Sequence, residues 1–177
     1  MQLIEVNTPL LARTFLEVNP RLLRTDPHYI RPLDKDIEDV FDPKKNKAFR
    51  FGEAARWILF NDRQEPIGRI AAFVNKKYKN KGDGVPVGGI GFFDCINDQS
   101  AADLLFDVAK HWLLQRGMEA MDGPINFGER NEFWGLLIDN FDYPGSYQMN
   151  YNPSYYKNLF EVFGFQIYFK QIIFWKD

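Results

Sequence analysis

The sequence predicts an α+β (mixed α/β) domain in which helices pack against a central sheet. Residues 88–117 carry most of this prediction, because an apolar strand passes there through a very short turn into an amphipathic helix that Gly117 ends. The remaining apolar patterns alternate between strand and helix along the chain, which is typical of the same class. No repeat or linker interrupts residues 1–177, so we expect a single domain.

The composition narrows the class of protein. Aromatic residues make up 16% of the chain, which favours large packed faces over disorder. The net charge of −2 gives no general attraction to nucleic acid or membranes. Cys95 is the only cysteine, which excludes an internal disulfide and favours a reducing compartment. No signal peptide and no apolar run of about 18–20 residues are evident, so the expected location is cytoplasmic.

The N-terminal part predicts one strand and two short helices before the central strands. Residues 1–7 alternate weakly as a strand would, and Thr8 is placed to cap a helix that begins at Pro9. Pro20 predicts an interruption, after which a second short helix continues through Arg24.

The middle of the chain predicts a hairpin followed by the strand and helix described above. The two prolines of residues 26–32 favour an extended segment, and residues 36–41 favour a helical turn. Residues 55–62 and 66–75 flank a short polar turn and therefore predict antiparallel strands. The lysines of residues 76–81 are best explained as a solvated loop.

The C-terminal part predicts two further strands and two helices. Residues 118–125 form a strand pattern, and Asn126 with Glu129 predicts the cap of a helix through Asp139. A tyrosine-rich loop separates this helix from one over residues 154–163 that Gly164 ends. A long alternating strand is expected over residues 166–176.

The motifs IGRIAAFVN and GGIGFFDCI, a helix ending in QRG and a helix ending in FGF together resemble the GNAT superfamily of acyl-CoA N-acyltransferases. A GNAT-like subfamily with a YNPxYY block is the more specific resemblance. That block is formed here by Gly123-Pro124, Asn131-Glu132, Gly135-Leu136-Leu137, Phe141, Pro144, Tyr151-Asn152-Pro153 and Tyr155-Tyr156.

The resemblance implies a mostly antiparallel sheet that is splayed near its fourth strand, with helices on both faces. The pantetheine arm of an acyl-CoA would pair with that strand, and its pyrophosphate would lie on the turn that opens the next helix. An amine of a small molecule or protein would accept the acyl group, and a homodimer is an alternative to a monomer. Relatives continue with a second half, so residues 1–177 could form the N-terminal half of a longer architecture. The implied acyl-CoA contacts are Phe93, Cys95, Asn97, Gln99, Ser100 and Ala101.

Two departures from the GNAT pattern affect the expected chemistry. At the phosphate turn, residues 96–101, Gln99 replaces a glycine, and Asp98 and Asp103 would repel a dianion. Ser100 with Asp103 also predicts a capping box that would use the N–H groups a phosphate needs. Phe160 stands where many GNATs have a tyrosine that reprotonates the departing thiolate.

Candidate catalytic groups each have a structural alternative. Asp94, beside two phenylalanines near the end of the fourth strand, could act as a base with a raised pKa, or face solvent. Glu129 and Glu132 could act as a base or as an amine anchor, although first-turn acids also stabilise helices. Tyr155 or Tyr156 could replace the missing acid, but packing of these tyrosines in an aromatic core with their hydroxyls at the rim is the alternative.

The remaining candidates concern substrate contacts and metals. A nucleophile formed by Cys95 with His111 is disfavoured, because a mid-helix histidine beside Trp112 has no evident acid partner. No metal site is expected, since the histidines and the cysteine are dispersed. Residues 126–153 and the extended segment around His28 are expected to form substrate walls. The implied substrate contacts are His28, Tyr29, Asn131, Trp134, Tyr151, Asn152 and Tyr155.

Two functions remain open from the sequence. The first is transfer of an acyl group from an acyl-CoA to an amine. The second is a degenerate GNAT-fold binding protein without acetyl-CoA activity, which uses residues 126–153 to bind a small molecule or a protein.

Overall fold

The computed structural model describes residues 1–77, 84–129 and 131–173. A five-stranded sheet has the order β1-β2-β3-β4-β5, antiparallel up to β4 and parallel between β4 and β5. The α+β class is therefore confirmed. In chain order the elements are β1 (Gln2–Glu5), α1 (Pro9–Leu23), α2 (Asp34–Phe41), a 3-10 turn (Lys47–Arg50), β2 (Gly52–Phe60), β3 (Pro66–Asn75), β4 (Val87–Cys95), α3 (Gln99–Leu114), β5 (Ala120–Asp122) and α4 (Tyr156–Phe163).

Both faces of the sheet are covered by helices, so the central strands are apolar on both sides. On β3, Ile70 and Ala72 pack toward α3 and α4, while Ala71 and Phe73 pack toward α1 and α2. This arrangement explains why the strand sequences are almost continuously apolar instead of alternating. The expected central hairpin of β2 and β3 is confirmed.

The sheet opens beyond the first residues of β4. β4 pairs with β5 only from Val87 to Gly89. The N–H of Ile125 then donates to the Ile90 carbonyl at 2.8 Å. Phe92 has a φ of 49°, and the register with β3 shifts there, so β4 carries a bulge at the point where its neighbour departs. The splay expected near the fourth strand therefore lies at this bulge.

The helix at the N-terminus is longer than predicted. Thr8 caps α1 as expected, because its Oγ1 accepts from the Leu11 N–H at 3.2 Å. The predicted interruption at Pro20 is wrong: α1 runs through this residue to Leu23. Pro20 lies within the last turn, where it removes one N–H donor and leaves most of the helix hydrogen bonds intact.

The predicted helix from Asn126 through Asp139 is also wrong. Residues 126–129 and 131–139 follow an irregular course without helix, because tertiary hydrogen bonds replace a helical ladder. The N–H of Phe133 donates to the Gln148 carbonyl at 2.6 Å, and that of Gly135 donates to the Pro124 carbonyl at 2.8 Å. Phe133 and Gly135 both have positive φ values, which a helix excludes.

The predicted C-terminal strand is not formed over residues 166–173, and residues 174–176 lie outside the described part. The alternating side chains there stay exposed, with Tyr168 at 71% and Ile172 at 72%. An alternating pattern needs a neighbouring strand to become a sheet element, and the described residues provide none for it. Within the described ranges no helix is long and apolar enough to span a membrane. Most of the predicted lysine loop, residues 78–81, also lies outside the described residues.

Candidate functional site

The end of β4 carries a buried polar network centred on Asp94. The Asp94 side chain is 4% exposed, and its Oδ2 accepts from Arg69 Nε at 2.6 Å. Its Oδ1 accepts from Asn19 Nδ2 at 2.8 Å and from the Tyr156 hydroxyl at 3.2 Å. Both carboxylate oxygens are therefore engaged by side chains from α1, β3 and α4, and the expected solvent-facing alternative for Asp94 does not occur.

Arg69 also contacts α1, through the backbone and the ring of Phe15. Its Nη1 donates to the Phe15 carbonyl at 2.8 Å, and its guanidinium lies 4.8 Å from the Phe15 ring centroid. The ion pair between Arg69 and Asp94 thus joins α1 to the centre of the sheet. Sequence reasoning missed Arg69 and Asn19, although a single arginine in the apolar run IGRIAAF indicates a buried carboxylate partner.

Two tyrosines form hydrogen bonds with the backbone of Cys95, the last residue of β4. The Cys95 N–H donates to the Tyr156 hydroxyl at 2.9 Å, and the Tyr155 hydroxyl donates to the Cys95 carbonyl at 2.7 Å. Burial raises the pKa of both tyrosines well above its usual value. Burial also raises the pKa of the Cys95 thiol to about 12, which keeps it protonated and unreactive.

The N-terminus of α3 is satisfied by Asp98. Its carboxylate Oδ1 accepts from the N–H groups of Ser100 at 2.8 Å and Ala101 at 3.3 Å. The predicted capping box of Ser100 and Asp103 is therefore wrong, because Asp98 is the cap residue and Asp103 instead accepts from Gln99 Nε2 at 2.8 Å. The amide of Gln99 also donates to the Leu159 carbonyl at 3.2 Å, which joins the start of α3 to α4.

The remaining positions of the phosphate turn differ in exposure. Asn97 and Ser100 are exposed, while Ala101 is fully buried. Phe93, one residue before Asp94, is buried and stacks on Phe106 with centroids 4.6 Å apart. Phe160 packs edge-on against both rings, so an apolar cluster fills the place of the expected acid.

The two glutamates of residues 126–132 do not share a helical face. Glu129 is exposed and Glu132 is partly exposed, and the Asn126 side chain donates to the Glu129 carbonyl at 3.2 Å. Asn131 is exposed, whereas Trp134 is partly buried and stacks on Phe169 with centroids 6.4 Å apart.

Asn152 acts as a structural clamp within the tyrosine-rich loop. Its Oδ1 accepts from the Leu137 N–H at 2.9 Å, and its Nδ2 donates to the Leu137 carbonyl at 3.1 Å. The side chain is buried and therefore fixes the course of residues 134–140. Asn152 was predicted to contact substrate, and the structure uses its amide within the chain.

The segment between α1 and α2 brings three predicted substrate contacts together. The Tyr29 hydroxyl donates to Asn19 Oδ1 at 2.6 Å, and its ring lies 6.3 Å from that of Tyr151. The Tyr151 hydroxyl donates to Asp26 Oδ2 at 2.9 Å. His28 is partly exposed beside Asp26, with Nδ1 3.7 Å from Oδ1. Asp26 was missed by sequence reasoning, which assigned it only to an extended segment.

A groove of about 1410 Å³ lies between β5, residues 134–150 and the chain after α4. Apolar side chains dominate its wall, and Phe160 lies at one side of it. Within the described ranges, no group of histidine, cysteine, aspartate and glutamate residues could hold a metal ion. The apolar wall suits an aliphatic chain better than a charged ligand. Its apolar members include Leu113, Met121, Ile125, Trp134, Leu136, Phe163, Ile167 and Phe169.

Sequence comparison finds longer relatives and no matching family model. The chain is 30% identical over 155 residues to a bacterial ceramide synthase of Caulobacter vibrioides and 28% identical over 164 residues to the protein YghO of Escherichia coli. Each match covers 88% of this chain. The chain spans 40% of the length of the first relative and 41% of the second.

Structural comparison identifies acetyltransferases along almost the whole chain. The aminoglycoside 6′-N-acetyltransferase AAC(6′)-IG of Acinetobacter haemolyticus superimposes with a TM-score of 0.59 at 16% identity, covering 100% of this chain and 99% of its own. The enzyme AAC(6′)-Iy, in complex with a bisubstrate analogue that contains CoA, superimposes with a TM-score of 0.56 at 14% identity over 100% and 99% of the two chains. At these identities the comparisons establish the fold.

Proposed function

We propose that this chain, which has the fold of the GNAT acyltransferases, transfers an acyl group from an acyl-CoA to an amine. The observation that carries the proposal is the opening of the sheet at the Phe92 bulge, where β4 leaves β5. An acyl-CoA can lie in such an opening with its thioester against the unpaired backbone of the strand. The similarity to a ceramide synthase supports an amide product, because a ceramide is an N-acylated amine.

The donor is held mainly through its acyl chain in this proposal. The N–H groups of Ser100 and Ala101 already bind Asp98, and both backbone groups of Cys95 already bind tyrosines. A diphosphate at this turn would have to displace an internal carboxylate of the same charge sign. The groove of about 1410 Å³ offers apolar area instead, and each buried methylene contributes about 0.8 kcal/mol.

The predicted roles of individual residues stay predictions within this scheme. Asp94 positions Tyr156 at the end of β4, where the thioester would lie. The Tyr156 hydroxyl binds both Asp94 and the Cys95 N–H. Glu129 and Glu132 remain candidates for an amine anchor, because both reach solvent. The acceptor is an amine on a small molecule or a protein.

CoA release measured with a thiol reagent tests the proposal. Acetyl-, octanoyl- and palmitoyl-CoA are offered with a long-chain primary amine, and we expect the rate at low donor concentration to rise with acyl length. Amide formation is checked by mass spectrometry. If no donor gives the amide, the proposed function is wrong.

A pair of matched variants tests the groove. Ile167→Glu places a charge on the groove wall, whereas Leu10→Glu places one on the exposed face of α1; the two side chains are 57% and 75% exposed. We expect Ile167→Glu to raise the KM for palmitoyl-CoA about tenfold or more, because the acyl chain would lie beside a charge. Leu10→Glu should leave it unchanged. Equal KM values in both variants would contradict acyl binding in the groove.

A second candidate function is ligand binding without transfer. The occupied phosphate turn and the phenylalanine at position 160 favour it, because both remove groups that the reaction normally uses. Binding of palmitoyl-CoA without amide formation would support this candidate over the transferase.

A further inference from the structure

A chain of hydrogen bonds connects the segment between α1 and α2 to Asp94 at the end of β4. The Tyr29 hydroxyl donates to Asn19 at 2.6 Å, and Asn19 donates to Asp94 at 2.8 Å. His28 precedes Tyr29 in the sequence and therefore belongs to the segment that this chain of hydrogen bonds connects to Asp94. Its side chain remains 38% exposed, so a ligand can reach it.

Asp26 binds the backbone of His28 and lies beside its imidazole. Asp26 Oδ1 accepts from the backbone N–H of His28 at 2.9 Å and lies 3.7 Å from its Nδ1. Asp26 Oδ2 accepts from the Tyr151 hydroxyl at 2.9 Å, so the carboxylate is fixed by a second segment. Within the described residues, Nε2 of His28 has no hydrogen-bond partner and is free for a ligand.

Asp94 lacks the freedom that a base requires. Arg69 binds one of its oxygens, and Asn19 and Tyr156 bind the other. Taking a proton from a substrate would place a neutral carboxyl against a buried guanidinium, which is costly. A half-exposed histidine with one free nitrogen meets the requirement better, because no neighbouring side chain among the described residues occupies the nitrogen that would take the proton.

We propose that His28 is the general base for the acceptor amine and that Asp26 is its positioning residue. This inference rests on the proposed acyltransferase function. The amine nitrogen attacks the thioester carbonyl, the C–N bond forms, and the C–S bond breaks to release the CoA thiolate. His28 Nε2 takes the proton that the nitrogen loses and returns it to the thiolate or to water. Asp26 balances the positive charge that the imidazole acquires in between.

The pH dependence of this step is set by a small group of neighbours. Asp26 faces the imidazole from its own segment, and Tyr29 and Arg31 follow it in sequence. From the tyrosine-rich loop, Tyr151 faces Asp26, and its pKa is raised to about 12 by burial and by that carboxylate, with Asp142 close by. Tyr151 therefore stays neutral over the working pH range.

The experiment uses the only two histidines of the chain as test and control. His28→Gln removes the base, whereas His111→Gln changes an exposed residue of α3 that bonds only to Gln115. With palmitoyl-CoA and a primary amine, we expect His28→Gln to lower kcat about 10²- to 10⁴-fold. His111→Gln should keep the native kcat.

The pH profile separates catalysis from a structural effect. The ratio of native to His28→Gln rates should rise with pH to a plateau, because a base acts only when it carries no proton and the ionisation of the amine itself cancels in the ratio. Added imidazole should restore part of the activity of His28→Gln. Asp26→Asn keeps the contact with Tyr151 and should lower kcat less than His28→Gln does.

Two results would overturn the inference in distinguishable ways. A native chain that releases no CoA would overturn the proposed function and this inference with it. An active native chain whose kcat and pH profile are unchanged in His28→Gln would overturn only the role of His28.

Discussion

The end of β4 and the segment around His28 differ in how their polar groups are used. At the end of β4, Asp94, the Cys95 backbone and the first N–H groups of α3 are all bound by groups of the same chain. Around His28, the carboxylate of Asp26 is fixed while the imidazole stays open to solvent. Polar groups that are already satisfied hold a fold together, and those left open can bind a ligand.

The two regions should therefore respond differently to substitution. Variants at the end of β4 should change the free energy of unfolding first, whereas variants around His28 should change the rate first. Three pairs of variants and the single variant Cys95→Ala test the structural side of this comparison.

The largest effect is expected from the buried ion pair. Arg69→Met leaves the carboxylate of Asp94 buried and unpaired, which should lower the free energy of unfolding by about 3–5 kcal/mol. The control Arg21→Met breaks an exposed pair with Glu65 and should lower it by about 0–1 kcal/mol. Urea unfolding followed by circular dichroism measures both. Equal losses in the two variants would show that Arg69 is not part of a buried network.

The next effect concerns the close approach of the chain after β5 to β4. A Cβ at Gly91 would overlap the backbone carbonyl of Ile125, so Gly91→Ala should destabilise the fold by about 1–3 kcal/mol. Gly84→Ala is the control, because a Cβ at Gly84 meets no atom within 4 Å. Thermal unfolding of both variants measures the difference. A Gly91→Ala protein as stable as Gly84→Ala would contradict the packing at the sheet opening.

A smaller effect is expected from the cap of α3. Asp98→Ala removes the acceptor for two N–H groups and should lower the free energy of unfolding by about 1 kcal/mol. Thr8→Ala removes the comparable cap of α1 and should have a similar effect. If only Asp98→Ala were as stable as the native protein, the carboxylate would not be the cap.

The smallest effect concerns the pH dependence contributed by Cys95. Burial raises the pKa of its thiol to about 12, so the folded thiol stays neutral while the unfolded thiol ionises near its ordinary pKa of about 8.5–9. The contribution of the neutral thiol to the free energy of unfolding is complete below that range and is lost as the pH rises toward 12. At pH 9 the loss amounts to about 0.4–0.8 kcal/mol. Cys95→Ala should remove this part of the alkaline destabilisation, and urea midpoints at pH 7 and pH 9 measure it.

The sequence predicted the elements whose signals are local. The long apolar runs of β2–β4 and the amphipathic pattern of α3 depend on periodicity alone, and both were confirmed. The helix expected after Asn126 failed because the cap was not formed: the Asn126 side chain donates to the Glu129 carbonyl, and tertiary hydrogen bonds bind the backbone of Phe133 and Gly135. The strand expected after Gly164 failed because an alternating pattern does not specify a neighbour.

The site was harder to predict, because its contacts join residues far apart in the chain. Asp94 was singled out from its place beside two phenylalanines, yet its partner Arg69 lies on β3 and Asn19 on α1. The cap of α3 was also hard to predict, although its candidates are close together in the sequence. Asp98, Ser100 and Asp103 all suit an N-cap region by residue type, and only the backbone angles at Asp98 decide among them.

Titration with CoA, which lacks an acyl chain, tests the central claim that Asp98 occupies the place of a diphosphate at the start of α3. Calorimetry should show binding weaker than about 1 mM for the native chain, and tighter, salt-sensitive binding for Asp98→Ala, because two N–H groups become free. Tight binding of CoA to the native chain, unchanged in Asp98→Ala, would contradict the claim.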